Sequence, residues 1–168
     1  AAGNVAQNVY SPVSVTNLAV KALGDVGLAN AANMVTNVAA QVGDVSNQNK
    51  NFSFKNGQTL NVGSNIDGVS GIAININGAY NPVVPDAVIA LTSSGTLTQS
   101  AGALLGGKAV YAEGSQVTLA NANPTGVIAG TVTTSSGANC PKAAPAESVP
   151  ASTATAPPRA AQRLDDPI

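Results

Sequence analysis

Hydrophobic and polar residues alternate along the middle of the chain. Between positions 69 and 77, Ile72, Ile74 and Ile76 fall on one side of an extended backbone and smaller residues fall on the other. Similar short runs, separated by Gly, Ser, Asn or Pro, predict strands over 58–62, 87–92, 96–99, 108–112, 116–120 and 126–133. Many short strands at this spacing are typical of a sandwich, a barrel or a solenoid. The core residues we predict for this body are Ile72, Ile74, Ile76, Ile89, Leu91, Val117 and Leu119.

The first 50 residues allow two interpretations. Ser11-Pro12 is typical of a helix start, and two sets of apolar residues with helical spacing end at Gly24 and Gly43. The many Val, Asn and Thr residues lower helix propensity and favour strands instead. We therefore expect this segment to be partly helical, or to be a strand exchanged between copies.

Composition divides the chain into three segments. Residues 1–50 are rich in Asn, Val and Ala, residues 51–138 carry the strand pattern, and residues 139–168 are rich in Pro and Ala. A proline-rich segment of this kind cannot nucleate a core, so the third segment is expected to be an extended arm. The predicted fold class is mainly β, with a short β-solenoid or β-sandwich body between the two terminal segments.

Charge is scarce throughout the sequence. Charged residues make up 9% of the chain and the net charge is -1, whereas ordinary soluble domains carry about 25% charged residues. This composition offers no basic patch for nucleic acid or for anionic lipid, and it gives little electrostatic protection against self-association. No apolar run approaches the roughly 20 residues needed to span a bilayer. We expect no nucleic-acid partner, no membrane span, and copies of the chain itself as the main partner.

Side chains that could carry out catalysis or bind metals are equally scarce. The chain has no histidine and one cysteine, which excludes histidine-dependent nucleophilic catalysis and cysteine-rich metal sites. The acidic residues are scattered along the sequence, and nothing pairs two of them for acid–base work. We expect no enzymatic activity, no cofactor and no metal. Cys140 leaves two alternatives open, a free thiol and an intermolecular disulfide.

Three short motifs have ordinary explanations. The stretch Gly102–Lys108 matches a phosphate-binding loop, but Ala109 stands where such a loop needs Ser or Thr, and a glycine turn between strands is favoured. Asn51 begins a glycosylation sequon, which occurs often by chance. The stretch Asn65–Gly68 offers oxygens to calcium but fits a turn equally well.

Twelve asparagines lie within the first 65 residues. Identical asparagine side chains on stacked strands can hydrogen-bond to each other as a ladder. Asparagine is also favoured in turns and loops, so the sequence leaves both interpretations open.

The stretch from 91 to 132 resembles the repeats of large secreted adhesins of the filamentous-haemagglutinin type, through "GTLTQSAG" (95–102) and "GSQVTLANAN" (114–123). The resemblance implies a right-handed parallel β-solenoid at a bacterial surface. This chain is short for that family, and a few coils expose two ends that need capping or stacking. The asparagine-rich first segment is also similar in composition to amyloid-like extracellular fibre subunits, without their regular repeats.

Together these features favour a non-enzymatic structural subunit that homopolymerises into an extracellular filament at a cell surface or in a biofilm matrix. The start Ala1-Ala2-Gly3 fits a secreted chain after signal cleavage. Assembly would use strand addition and terminal-arm contacts, for which the candidate residues are Val5, Val9, Val13, Val15, Pro145, Pro150, Pro157 and Pro158. The alternative is a glycan-binding adhesin or phage-fibre module that acts as a discrete oligomer. Its ligand would be a cell-surface or matrix polysaccharide, and its candidate aromatic residues are Tyr10, Tyr80, Tyr111, Phe52 and Phe54.

Overall fold

The computed structural model describes residues 1–47, 49–74, 87–123 and 125–135, which form eleven β-strands and no helix. The strands are β1 (Val5–Ala6), β2 (Ser14–Ala22), β3 (Val26–Leu28), β4 (Met34–Val42), β5 (Phe52–Asn56), β6 (Leu60–Val62), β7 (Ile72–Ile74), β8 (Val88–Ser93), β9 (Leu97–Gln99), β10 (Leu105–Leu119) and β11 (Thr125–Ser135). All pairings between these strands are parallel. None of the described residues belongs to a helix that could cross a membrane.

The chain winds into a β-solenoid. Val5 lies beside Val26, Val26 beside Phe52, and Phe52 beside Ile89, so the chain returns once per coil to the same position. This ladder runs in the order β1-β3-β5-β8-β10. A second ladder joins β2, β4, β6, β9 and β10, and a third joins β4 and β10 through β7. Three ladders of stacked parallel strands enclose one interior.

Side chains that point inward from the three ladders form a single core. In β5 and β8, buried residues alternate with more exposed ones, as expected for strands with one buried face. The core is aliphatic apart from Phe52 and Phe54, whose rings stack 6.4 Å apart. Six of the seven residues that we assigned to the core from the sequence are buried: Ile72, Ile74, Ile89, Leu91, Val117 and Leu119. The seventh, Ile76, lies outside the described residues.

The strands predicted in the middle of the chain are present with shifted bounds. The predicted strands at 58–62, 87–92, 96–99 and 126–133 correspond to β6, β8, β9 and β11. The two predicted at 108–112 and 116–120 form one long strand, β10, which takes part in all three ladders. The described part of the predicted strand 69–77 is β7.

The helix expected in the N-terminal segment is wrong, because β1 to β4 occupy this region. Strand β2 lies beside β4 in register from Ser14↔Met34 to Ala22↔Val42, which stacks Val, Thr and Asn residues on a backbone that suits them. The apolar residues had helical spacing because the strand bends at a corner. On the two sides of such a corner, successive inward-facing residues are three positions apart. Val35 and Val38, both fully buried, flank this corner in β4. The sheet also continues across residue 50, since β3 pairs with β5.

Candidate functional site

Three asparagines on neighbouring coils form a hydrogen-bonded ladder on the outside of the solenoid. The register places Asn17 beside Asn37 and Asn37 beside Asn61. The Asn37 amide donates to Oδ1 of Asn17 at 2.8 Å, and the Asn61 amide donates to Oδ1 of Asn37 at 2.9 Å. Asn61 also donates to Oγ of Ser100 at 2.8 Å and accepts from Oγ1 of Thr98 at 3.1 Å. The stacked-asparagine interpretation is correct for this column, which we call the outer ladder (Asn17, Asn37 and Asn61).

The outer ladder has a direction. Each asparagine in it donates an amide N–H to the asparagine one coil closer to β2. The last member, Asn17, therefore accepts a hydrogen bond but donates none. No described residue accepts a hydrogen bond from Nδ2 of Asn17. The ladder therefore ends at β2 with free donors, while its Asn61 end is satisfied by hydroxyl groups.

A groove of about 750 Å³ runs beside the outer ladder. The ladder forms one wall and the segment 63–67 forms the other, with Leu18 and Ile66 supplying apolar surface. This segment is held by an antiparallel bridge between Ile66 and Val69 and by Nζ of Lys21, which donates to the carbonyl oxygen of Asp67 at 3.3 Å. We call this feature the amide groove; its main lining residues are Asn17, Leu18, Asn37, Asn61, Ile66 and Asp67.

The first coil leaves a strand edge open. Among the described strands β2 pairs only with β4. The backbone N–H of Met34 donates to the carbonyl of Val13 at 2.8 Å, so the alternate backbone groups of Ser14 and Thr16 point away from β4. Residues 1–3 cover the far end of this edge, where the N-terminal ammonium donates to the Lys21 carbonyl at 2.6 Å. The uncovered part, Ser14 to Leu18, is called the β2 edge below.

The stacked inward-facing side chains of the solenoid, which we call the interior column, end at the β2 edge, where no further coil covers them. Val15 lies beside Val35 in register, yet Val15 is 42% exposed whereas Val35 is 0% exposed. Of the other assembly candidates, Val5 and Val13 are partly buried against the core, and Val9 is 74% exposed. Cys140 and the four assembly candidates Pro145, Pro150, Pro157 and Pro158 lie outside the described residues.

The three motifs of the sequence have structural roles. Gly102 sits in a turn with φ of 75° and β10 follows from Leu105, so Gly102–Lys108 leads into a strand and carries no phosphate-binding helix. Asn51 accepts from the Val88 N–H at 3.0 Å and donates its own backbone N–H to Asp25 at 2.8 Å, which ties three coils together. In the stretch Asn65–Gly68, both Asn65 and Asp67 have left-handed φ angles, and the segment is a turn. The described residues contain no cluster of acidic, histidine or cysteine side chains that could hold a metal.

Buried polar side chains at the corners were missed by sequence reasoning. Asn33, Asn56, Gln99 and Asn123 are buried and hydrogen-bond across coils; for example, Gln99 donates to Oδ1 of Asn123 at 2.5 Å. Asn33 and Gln7 exchange amide hydrogen bonds in the same way. The available signal was a polar amide placed between two strands, as in Asn56-Gly57, although this dipeptide is equally typical of an exposed turn. These residues hold the coils in register and do not line the amide groove.

Two ionisable groups on the surface have perturbed pKa values. Hydrogen bonds from the side chain and backbone of Asn47 and from the backbone of Ser46 lower the pKa of Asp44. The Tyr111 hydroxyl donates to the Glu113 carboxylate, and this bond raises the pKa of Tyr111. Because the folded-state pKa of Tyr111 is raised, its contribution to stability is present below about pH 10 and is lost as the pH rises through the raised value.

A Glu113→Gln variant is expected to lower the pKa of Tyr111 toward its ordinary value, because the hydroxyl proton then faces a neutral amide. The pH titration of the Tyr111 ring carbons by NMR measures this pKa, with Tyr111→Phe identifying the signal. An unchanged midpoint in Glu113→Gln would show that the carboxylate is not the cause.

Chemically, the outer ladder and the amide groove can donate and accept hydrogen bonds, and the described residues around them contain no paired acid and base. Comparison with known protein families, with curated proteins and with solved structures gives no match. Function must therefore be argued from the geometry of the β2 edge and of the amide groove.

Proposed function

We propose that this protein is a non-enzymatic structural subunit that polymerises head to tail into an extracellular filament. The observation that carries the proposal is the uncovered end of the interior column, where Val15 is 42% exposed above the fully buried Val35. Complete burial of such a side chain contributes about 1.5–3 kcal/mol, and another coil laid on β2 would supply the part that corresponds to the 42% still exposed. The same coil would pair with the outward backbone groups of Ser14 and Thr16.

The parallel topology favours an open polymer. The solenoid has two unlike edges, β2 at one end and β11 at the other, and among the described strands each pairs with a single neighbour. Pairing of one edge with the other places copies head to tail, and a head-to-tail contact that does not close gives a filament. One of the two free Nδ2 N–H groups of Asn17 would extend the outer ladder into the next copy, as the corresponding group of Asn37 does within the chain.

The surface composition agrees with this role. With 9% charged residues, the chain has few of the charges that natural proteins place on strand edges to prevent association. An extracellular location is supported by the resemblance to secreted adhesins and by the lack of charge. Terminal-arm contacts and a disulfide through Cys140 remain parts of the proposal.

A Val15→Lys variant is expected to weaken polymerisation by about 100-fold or more, because stacking would bury an unpaired ammonium group. The monomer should tolerate the change, since Val15 is already partly exposed. Sedimentation velocity over a concentration series, with negative-stain electron microscopy, measures the effect.

Thr36→Lys is the matched control for this experiment. It adds the same charge one coil away from the β2 edge, at an exposed position, and should polymerise like the natural protein. Equal polymerisation of Val15→Lys and Thr36→Lys would contradict stacking at the β2 edge. A natural protein that stays monomeric at high concentration would contradict the proposed function itself.

The discrete glycan-binding oligomer has less support as the main function. Two of its five aromatic candidates, Phe52 and Phe54, are fully buried in the core and cannot contact a ligand. Tyr10 and Tyr111 are exposed, but neither lines the amide groove.

A further inference from the structure

We propose that the amide groove binds a neutral polysaccharide chain. This inference goes beyond the filament role and does not depend on polymerisation, because one copy contains the whole groove. It assigns a ligand class to the cleft beside the outer ladder.

The hydrogen-bonding groups of the groove suit hydroxyl groups. Asn17 has two free amide donors, and Asn37 uses only one of its two N–H groups in the ladder. Asp67 also lines the groove, and its carboxylate receives no hydrogen bond from any described residue, which leaves it available as an acceptor. A sugar hydroxyl both donates and accepts, so it can satisfy the amides and the carboxylate together.

Charge narrows the ligand class. The lining residues include one carboxylate and no cationic residue. The nearby Lys21 directs its ammonium group to the carbonyl of Asp67 rather than into the cleft. An anionic polymer would meet the Asp67 carboxylate, and no cationic residue lines the groove to pair with it, which disfavours sulfated, phosphorylated or uronic acid chains. A neutral polysaccharide meets no such repulsion.

The groove also fits the ligand in spacing and in apolar contact. Neighbouring strands in the stack are about 4.7–4.9 Å apart. This spacing is close to the length of one sugar residue in an extended chain. The ladder amides therefore recur once per sugar. Leu18 and Ile66 offer apolar surface to the C–H faces of the rings.

Binding at one groove should be weak and should strengthen in a polymer. The groove has no aromatic residue for ring stacking. When many copies line up along one filament, however, each further groove meets the same polysaccharide at high effective concentration. Weak sites would then hold a filament firmly in a polysaccharide matrix.

The test uses the full chain carrying Thr16→Pro, which blocks an outward N–H of the β2 edge and leaves the hydrogen bonds between β2 and β4 in place. Thr16 does not line the amide groove. Affinity electrophoresis measures retardation in gels that contain a soluble neutral glucan, mannan, galactan or N-acetylglucosamine polymer, with alginate as the anionic comparison. Each mobility is normalised to a gel without polysaccharide.

At least one neutral polymer should retard the Thr16→Pro protein, and alginate should not. Asn17→Asp keeps the oxygen that accepts from Asn37 but removes the free donors, and Asp67→Ala removes the acceptor; each should weaken binding by about fivefold, the effect of one hydrogen bond. Gln116→Ala changes an exposed polar residue outside the groove and should bind like the parent.

Three results would overturn the proposal: no retardation by any neutral polymer, equal binding by the two groove variants and the parent, or stronger binding to alginate. None of these bears on polymerisation, which is measured separately on the natural chain and on Val15→Lys. A protein that polymerises without binding polysaccharide would leave the filament role standing and remove this one.

Discussion

A Gly71→Ala variant should lose about 2–5 kcal/mol of folding free energy, the sum of left-handed backbone strain and overpacking. Gly71 has a φ of 70°, and a Cβ at this position would lie 2.5 Å from the backbone nitrogen of Leu104 and closer still to its carbonyl oxygen. The neighbouring coil is also the hydrogen-bonding partner, since the Ile72 N–H donates to the Leu104 carbonyl at 2.9 Å. The coils would have to separate, so the bonds on both sides of Gly71 would weaken. Urea denaturation followed by circular dichroism measures the loss.

Gly68 provides the matched control. Its φ is 71°, nearly the same as that of Gly71, but a Cβ at Gly68 would meet no atom within 4 Å. Gly68→Ala therefore carries only the backbone strain and should cost about 1–2 kcal/mol. Equal losses in the two variants would mean that the coils tolerate separation at this corner, against the close packing that we describe.

The middle of the fold could be predicted because its inward and outward residues alternate without interruption. In β5, β6, β8 and β9 each buried residue is followed by a more exposed one, and turn residues separate the strands. This local pattern needs no knowledge of the partner strand. It predicted the positions of β6, β8 and β9 to within two residues.

The register of the coils could not be predicted, because the coils differ in length. Val15 pairs with a residue 20 positions later, Val35, whereas Leu60 pairs with Leu97. The extra residues are in loops such as 63–70, which leave the stacked strands unchanged. A repeat search compares fixed spacings, so it fails where loops of variable length separate the equivalent strands.

The corners could not be predicted from the sequence either. At a corner the inward-facing position shifts, so Val35 and Val38 both point inward although they are three residues apart. That spacing is the signature of a helix, and it produced the wrong helical prediction. Only the pairing of β2 with β4 shows that the chain is extended there.

The asparagines show that residue type alone does not determine a residue's structural role. Asn37 belongs to the outer ladder, whereas Asn56 is 3% exposed and lies inside a corner. Both belong to the same asparagine-rich part of the sequence, so composition alone does not distinguish their roles. Their positions relative to the corner decide which one is buried inside the fold and which one lies in the outer ladder.

An Asn56→Ala variant is expected to lose about 3–5 kcal/mol, since each buried polar group left unpaired costs about 1–3 kcal/mol. The Asn56 side chain accepts from the Val35 N–H at 2.9 Å and donates to the carbonyls of Val35 and Gln58, both at 2.9 Å. Alanine satisfies none of these backbone groups. The Gln58 carbonyl keeps the Ser93 hydroxyl as a partner, but the buried N–H and carbonyl of Val35 are left unpaired. The free energy of unfolding from urea denaturation measures the effect.

Two variants give this experiment its controls. Asn37→Ala removes an exposed-side ladder member and should cost about 1 kcal/mol or less, because water replaces the lost hydrogen bonds. Asn56→Ser should fall between the two, since Ser93 holds the equivalent position in the next coil and its hydroxyl donates to the Gln58 carbonyl at 2.7 Å. If Asn56→Ala cost no more than Asn37→Ala, the buried amides would not be what locks the coils together. The register would then depend on the aliphatic core alone.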